Sequence, residues 1–325
     1  MHFLNPQFWT FVGVVAGIYG LLALALYVQF SMAGLPNFGH VAFMAVAAYT
    51  MAMLVILAHA PLAWAALAGI AAAVGLGFIV GIPSLRLRAN YLAIVTVAGG
   101  EMIRYLATNL KITGGAVGSM GMLGPTEFAT YTASWQPFVG GVTATLSKYV
   151  GALATNDFSM LCLVWISLAL LLVLFRRLER SPWGRVMKSI REDEEAASSL
   201  GKNVYAFKLQ ALTLGGILAG LAGILWALEI GVFSPDDFQP TLTFYAYLIL
   251  ILGGMNRLWA IPAGAVLFGL LYSGTRFLGF YPLSLVDSGD RAYLRLLIVG
   301  VVLVLLMAVR PEGMFGKRQE LLLEK

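Results

Sequence analysis

The feature that most restricts this chain is the recurrence of apolar runs about as long as a bilayer is thick, separated by short polar punctuation. A helix needs about 20 mostly apolar residues to cross the hydrocarbon region. Runs of this kind occupy Phe8–Phe30, His40–Ala58, Leu62–Ile82, Tyr91–Leu110, Phe158–Phe175, Leu209–Ile230, Thr241–Met255, Trp259–Phe280 and Tyr293–Val309. The composition agrees: 60% of the residues are hydrophobic, 11% are charged, and the mean hydropathy is +0.84, well outside the range of water-soluble domains. The expected fold class is therefore an all-α polytopic membrane protein with about nine transmembrane helices, eight to ten allowing for boundary error. The opening MHFLNPQFW has no basic region ahead of its apolar run, so the first run is expected to be a retained span and not a cleaved signal.

Charge orients the spans. Alternating them from the long basic segment 176–208 puts 15 of the 21 Lys and Arg residues on one side: Arg86, Arg88, eight in 176–208, Arg257 and the four from Arg310 onward. The opposite side holds Lys111, Lys148 and Arg291. Basic loops stay on the cytoplasmic side, which predicts an outside N-terminus and a cytoplasmic C-terminus. The same clustering shows that the net charge of +5 reflects membrane topology and not a nucleic-acid surface. Cys162 is the one cysteine and lies in an apolar run, which excludes disulfide frameworks and cysteine metal sites and leaves a packing role. No metal site and no catalytic constellation is visible. No G-x-x-x-x-G-K-[ST] fingerprint occurs either, so this chain is expected to bind no nucleotide or other cofactor itself.

Segment 176–208 reads RRLERSPWGRVMKSIREDEEAASSLGKNVYAFK. Pro182 suits a first helical turn, and no Gly or Pro follows from Arg185 to Leu200. Val186, Met187, Ile190, Ala197 and Leu200 form a partial apolar stripe, and Gly201 stands where a helix C-cap belongs. The expectation is one short amphipathic helix, a turn, and re-entry into the membrane near Phe207. On these residues alone an ordinary basic loop that only sets topology fits equally well.

Glu195-Ala196-Ala197 followed by Gly201 resembles the EAA loop of ABC importer permeases, and GRVMKSIREDEEAASSLG resembles that loop in the branched-chain amino acid importers. Other segments resemble the same family. Ser31–Thr50, SMAGLPNFGHVAFMAVAAYT, is similar to its G-x-x-S-x-G-H-x-A-F segment, with Asn37 in place of the usual Ser. LRLRANYLAIVTVAGGE is similar to R-L-R-G-x-Y-x-A-I-x-T-L-x-x-x-E, with Ala89 in place of Gly. Thr113-Gly114-Gly115, Phe233-Ser234-Pro235, the Leu252–Ala265 stretch and Arg310-Pro311-Glu312-Gly313 also have counterparts, although Asn256 and Ala260 replace glycines.

The resemblance implies a single permease domain over 1–325, with an external insertion at 111–157 and a cytoplasmic coupling loop at 176–208. It implies the permease subunit of an ATP-driven, binding-protein-dependent importer of branched-chain amino acids or related small polar solutes in the inner (plasma) membrane, and not an enzyme. Implied partners are a sister permease, two ATP-binding subunits that use ATP and Mg, an external solute-binding protein and the lipid bilayer, with no nucleic acid. Residues implied in coupling to the ATPase are Arg185, Arg191, Glu192, Asp193, Glu195, Ala196, Ala197 and Gly201. The alternative class is a secondary transporter for a small polar solute, which also uses broken helices and intramembrane carboxylates.

The expected translocation pathway starts from the interruption at Gly34–His40. Backbone freed by such a break must line a cavity or be buried in protein, and the N–H groups of the helix that follows offer donors and positive partial charge to a carboxylate. Asn37, Gly39 and His40 lie at this break, and Thr96 and Glu101 are on the other irregular polar span. Gly253 and Gly254 are the remaining candidates. His40 reads either as a satisfied helix-end side chain or as a ligand. Glu101 reads either as a partner for Arg104, three residues on and on the same helical face, or as a pathway group. Gly215, Gly216, Gly220 and Gly223 read as a surface for close helix packing.

Overall fold

A computed structural model describes residues 6–87, 89–122, 135–151 and 155–274, with single positions at 297, 300, 301, 304, 305 and 314. Most of these residues are helical, and no strand occurs among them. The helices are α1 (Pro6–Tyr27), α2 (Val41–Ala58), α3 (Leu62–Ser84), α4 (Ala89–Asn109), α5 (Ser119–Met122), α6 (Trp135–Val150), α7 (Asn156–Arg180), α8 (Pro182–Glu192), α9 (Glu194–Ser199), α10 (Val204–Ile230), α11 (Thr241–Gly253) and α12 (Ile261–Gly274). A π-helical turn, Val28–Met32, extends α1.

Helix α1 is the axis of the bundle. Gln7–Met32 is 89% buried over its most apolar window, because α7, α10, α11 and α12 surround it. A helix apolar on every face belongs in such a place. On one flank Tyr19 packs its ring against Trp226, Tyr245, Phe268 and Tyr272 from three other helices. By contrast α3 and α7 are 33% buried and turn Trp64, Ile79, Ile166 and Leu170 outward, as lipid-facing helices do.

Among the described residues, five helices are long and apolar enough to cross a membrane, or six if one bent pair counts as a span. The expectation of nine spans differs from this in three places. Helix α4 is present over the expected range, but Glu101 and Arg104 dilute its hydropathy. Thr241–Met255 and Trp259–Phe280, expected as two spans, begin as α11 and α12. Helix α11 has 13 residues, about 20 Å of rise, which is short of the hydrocarbon thickness. Its segment, Pro235–Gly253, bends by 106° into Leu258–Tyr272. The ninth run, Tyr293–Val309, lies outside the described residues except for five helical positions.

The glycines of α10 are where helices touch. An added Cβ at Gly223 would overlap the Met44 carbonyl oxygen of α2, and at Gly216 it would meet the Phe43 ring at 2.6 Å. At Gly220 the neighbours are the Cβ atoms of Ala47 and Ala73, each at 3.1 Å. Close backbone approach of this kind replaces the hydrophobic drive that lipid cannot supply. Gly223→Val is therefore expected to cost about 1–3 kcal/mol through overpacking, read as a lower thermal midpoint of the purified protein. Gly140→Ala, where nothing lies within 4 Å of the added Cβ, should leave that midpoint unchanged.

Candidate functional site

The chain leaves α1 through the π-helical turn, runs without helix through Ala33–Phe38, and turns at Phe38–His40 into α2. Several polar groups of this interruption meet partners from other helices. Gln29 Nε2 donates to the Leu212 carbonyl of α10 at 2.9 Å, and Asn37 Nδ2 donates to Gln29 Oε1 at 3.0 Å. Gly215 leaves room for the Gln29 amide, since a Cβ there would come within 2.5 Å of Nε2. The Phe38 N–H donates to Thr96 Oγ1 of α4 at 3.2 Å, and the Val41 N–H to Thr243 Oγ1 of α11 at 3.1 Å. Tyr247 donates its hydroxyl to the Asn37 carbonyl at 3.4 Å and stacks on Phe38 at 4.8 Å. Gly39 lies against α4 so closely that a Cβ would overlap the Thr96 carbonyl.

Asn37, Gly39, His40 and Thr96 are thus brought together in one buried cluster, with Asn37 and Thr96 each 2% exposed and His40 fully buried. The first N–H groups of α2 are not open to a solute, contrary to expectation. Val41 is taken by Thr243, Ala42 by the Gly39 carbonyl and Phe43 by the His40 carbonyl. The His40 ring nitrogens and the Ser31 hydroxyl are buried without a hydrogen bond among the described residues.

Glu101 is outside this cluster. Its carboxylate pairs with Arg104 at 2.8 Å, and Arg104 also reaches Asp236 at 2.8 Å, tying α4 to the turn before α11. Gly253 and Gly254 also lie elsewhere. They end α11 at the 106° bend, where Gly254 adopts φ +123° and a Cβ at Gly253 would meet the Ala260 carbonyl at 2.5 Å. Gln29, Thr243 and Tyr247 were not among the sequence candidates. Gln29 did carry a signal, as the one side-chain amide in Phe8–Phe30, since polar groups within a span face the interior.

The loop 176–208 forms two helices and not one. Ser181 caps α8, with Pro182 at its first position. Asp193 interrupts the expected single helix, because its carboxylate accepts from the Glu195 and Ala196 N–H groups and starts α9. A free aspartate oxygen competes with helix continuation in this way. The end of α9 follows expectation: Gly201 has φ +78°, and the Gly201 and Lys202 N–H groups close on the Ser198 and Ala197 carbonyls, a Schellman arrangement.

Gly184, Met187, Ile190 and Ala197 face inward, whereas Leu200, expected in the same stripe, is 80% exposed. Glu192, Glu195 and Ala196 are also exposed. Arg185 donates to the Arg180 carbonyl at the end of α7. Lys188 pairs with Glu179, and Lys208 of α10 with Glu194, fixing both helices to the bundle. A cleft of about 340 Å³ opens beside them, between Gly34–Pro36, Leu85–Leu87, Leu92, Glu194 and Lys208.

A helical multi-pass membrane protein with buried chain interruptions and an exposed, ion-paired helix pair at one end has the build of a transport permease. The chain belongs to the branched-chain amino acid transport system permease component family, whose model matches residues 9–307. It is 34% identical to the high-affinity branched-chain amino acid transport system permease protein LivM of Salmonella typhimurium, and 34% identical to that of Escherichia coli. Both alignments cover 93% of this chain and 69% of the relative. The probable LivM permease of Methanocaldococcus jannaschii is 24% identical over 93% of this chain and 91% of its own length. No solved structure matches the chain significantly. The chain is accordingly a multi-pass transport subunit and not an enzyme.

The Gln29–Asn37 bond gives a direct energetic test of the interruption. Asn37→Leu leaves the buried Gln29 oxygen unpaired and should cost about 1–3 kcal/mol. Combined with Gln29→Leu, the loss should be smaller than the sum of the two single losses, measured by a double-mutant cycle on thermal or denaturant unfolding.

Proposed function

We propose that this chain is the membrane subunit of an ATP-driven importer of branched-chain amino acids, working with a sister permease, two ATP-binding subunits that use ATP and Mg, and an external solute-binding protein. The relatives are named as high-affinity branched-chain amino acid permeases, which supports the substrate class. One observation carries the energy coupling. The tip of α9 presents Glu195, Ala196 and Leu200 to solvent on a helix pair anchored by ion pairs on both sides. An exposed leucine among carboxylates, on helices tied to the bundle by ion pairs, suits a groove in a soluble partner that pushes on it. In this reading the helix pair is the cytoplasmic coupling element. The cleft beside Gly34–Pro36 is then the cytoplasmic end of the solute path, and Asn37, Gly39, His40 and Thr96 set the wall above it.

The test is reconstitution of the complex in proteoliposomes with leucine as solute. Uptake should require ATP, the ATP-binding subunits and the binding protein together, and uptake driven by an ion gradient alone would refute the proposal. A side chain branched at Cβ is poorly tolerated at the left-handed Gly201 position. Gly201→Val should therefore lower solute-stimulated ATP hydrolysis and uptake together, while the chain remains inserted and assembled with its sister permease.

A further inference from the structure

Arg191 stands on the exposed helix pair, yet its side chain runs into the bundle. Its Nη1 donates to the Ser31 carbonyl at 2.5 Å and to Asn256 Oδ1 at 3.2 Å. Its aliphatic stem covers Gly34, where an added Cβ would meet Arg191 Cγ at 3.1 Å and where φ is +69°. Ser31 and Gly34 bracket the start of the first interruption. Asn256 lies in the Gly254–Arg257 turn, the second interruption, where the chain bends by 106°.

One guanidinium therefore fastens α8 to both of these interruptions. The chemistry suits this position. Ser31 lies in the last turn of the π-helical extension of α1, where carbonyls lack onward helical donors, and a cation is favoured at the negative end of a helix. Arginine keeps its charge in any setting and presents a rigid planar set of donors. Helix α8 is held to the bundle by the buried Gly184, Met187 and Ile190. A rigid displacement of α8 must then either break these hydrogen bonds or carry the interruptions with it.

We propose that Arg191 is the positioning residue through which α8 moves both interruptions, and that it does not contact the ATPase. The proposal rests on the function proposed above, and failure of that function would show in the parent complex, as uptake without ATP dependence, before any variant is made. The experiment compares parent, Arg191→Met, Arg191→Lys and Asn256→Leu as assembled complexes in proteoliposomes. Leucine uptake and binding-protein-stimulated ATP hydrolysis are measured together.

Arg191→Met should lower leucine transported per ATP by about tenfold, within the usual range of coupling energies. Hydrolysis and subunit assembly should stay near parental values. Arg191→Lys keeps the charge but not the planar donor set and should fall between the two, and Asn256→Leu should reproduce part of the loss. A second readout uses Pro36→Cys in a Cys162→Ser background that still transports. Its maleimide labelling rate should change on vanadate trapping with Arg191 present and stay constant with Met in its place. Unchanged transport per ATP in Arg191→Met would overturn the proposal. So would release of the ATP-binding subunits by both Arg191 variants, because that would place the side chain in the intersubunit contact.

Discussion

In a hydrocarbon solvent every backbone N–H and C=O must find its partner inside the protein, and the two interruptions of this bundle depend on that requirement. At the first, four partners arrive from three helices. Thr96 of α4 takes the Phe38 N–H, Thr243 of α11 takes Val41, Tyr247 of α11 serves the Asn37 carbonyl, and Arg191 of α8 serves Ser31. At the second, the Leu252 carbonyl accepts from the Met314 N–H, and Gly254 N–H returns to Leu250. Neither segment is stable without its neighbours, so the geometry of each break reports the positions of the helices around it.

The same requirement explains what was legible in the sequence. Long apolar helices announce themselves by composition, and α1, α2, α3, α7 and α10 lie on expected runs. The irregular segments were also visible, because Gly34, Pro36, Asn37 and Gly39 break an apolar pattern, and three of the four residues now in the buried cluster come from that stretch. Their partners were not visible. Val41 and Thr243 are 202 residues apart and Asn37 and Tyr247 are 210 apart, and a threonine or tyrosine in an apolar run looks like ordinary packing. Glu101 was ambiguous because Arg104 is one turn away, and the structure adds Asp236, which no local pattern foretells.

Two elements differ from the expected run of helix for the same reason. A chain free of Gly and Pro from Arg185 to Leu200 suggests one helix, but Asp193 offers its carboxylate to the next turn and starts a second. Thr241–Met255 is apolar enough for a span, but Gly254 permits φ +123°, and Gly253 and Gly264 let the chain fold back on itself in close contact. In both cases one residue with an alternative for the backbone outweighed a favourable average over its window. Such residues set where a helix stops, and hydropathy does not register them.

The distribution of burial then decides where movement is absorbed. Helix α1 is enclosed on all sides and close-packed through the Tyr19 cluster, and such a core does not deform continuously. At the opposite end of the bundle, the Ser119 N–H donates to the Phe233 carbonyl and the Phe233 N–H to the Ser119 hydroxyl, and Arg104 joins α4 to Asp236. Displacing α8 would therefore load segments fixed at one end by this lacing and at the other by Arg191. Between these points the compliant parts are the few non-helical residues, Ala33–Phe38 and Gly254–Arg257. Each is held by single hydrogen bonds and not by a helical ladder, so each can exchange partners at a cost of about 0.5–1.5 kcal/mol per neutral bond. A fold that is rigid along its axis and soft at two short segments turns a push on one end into a local rearrangement beside the cleft.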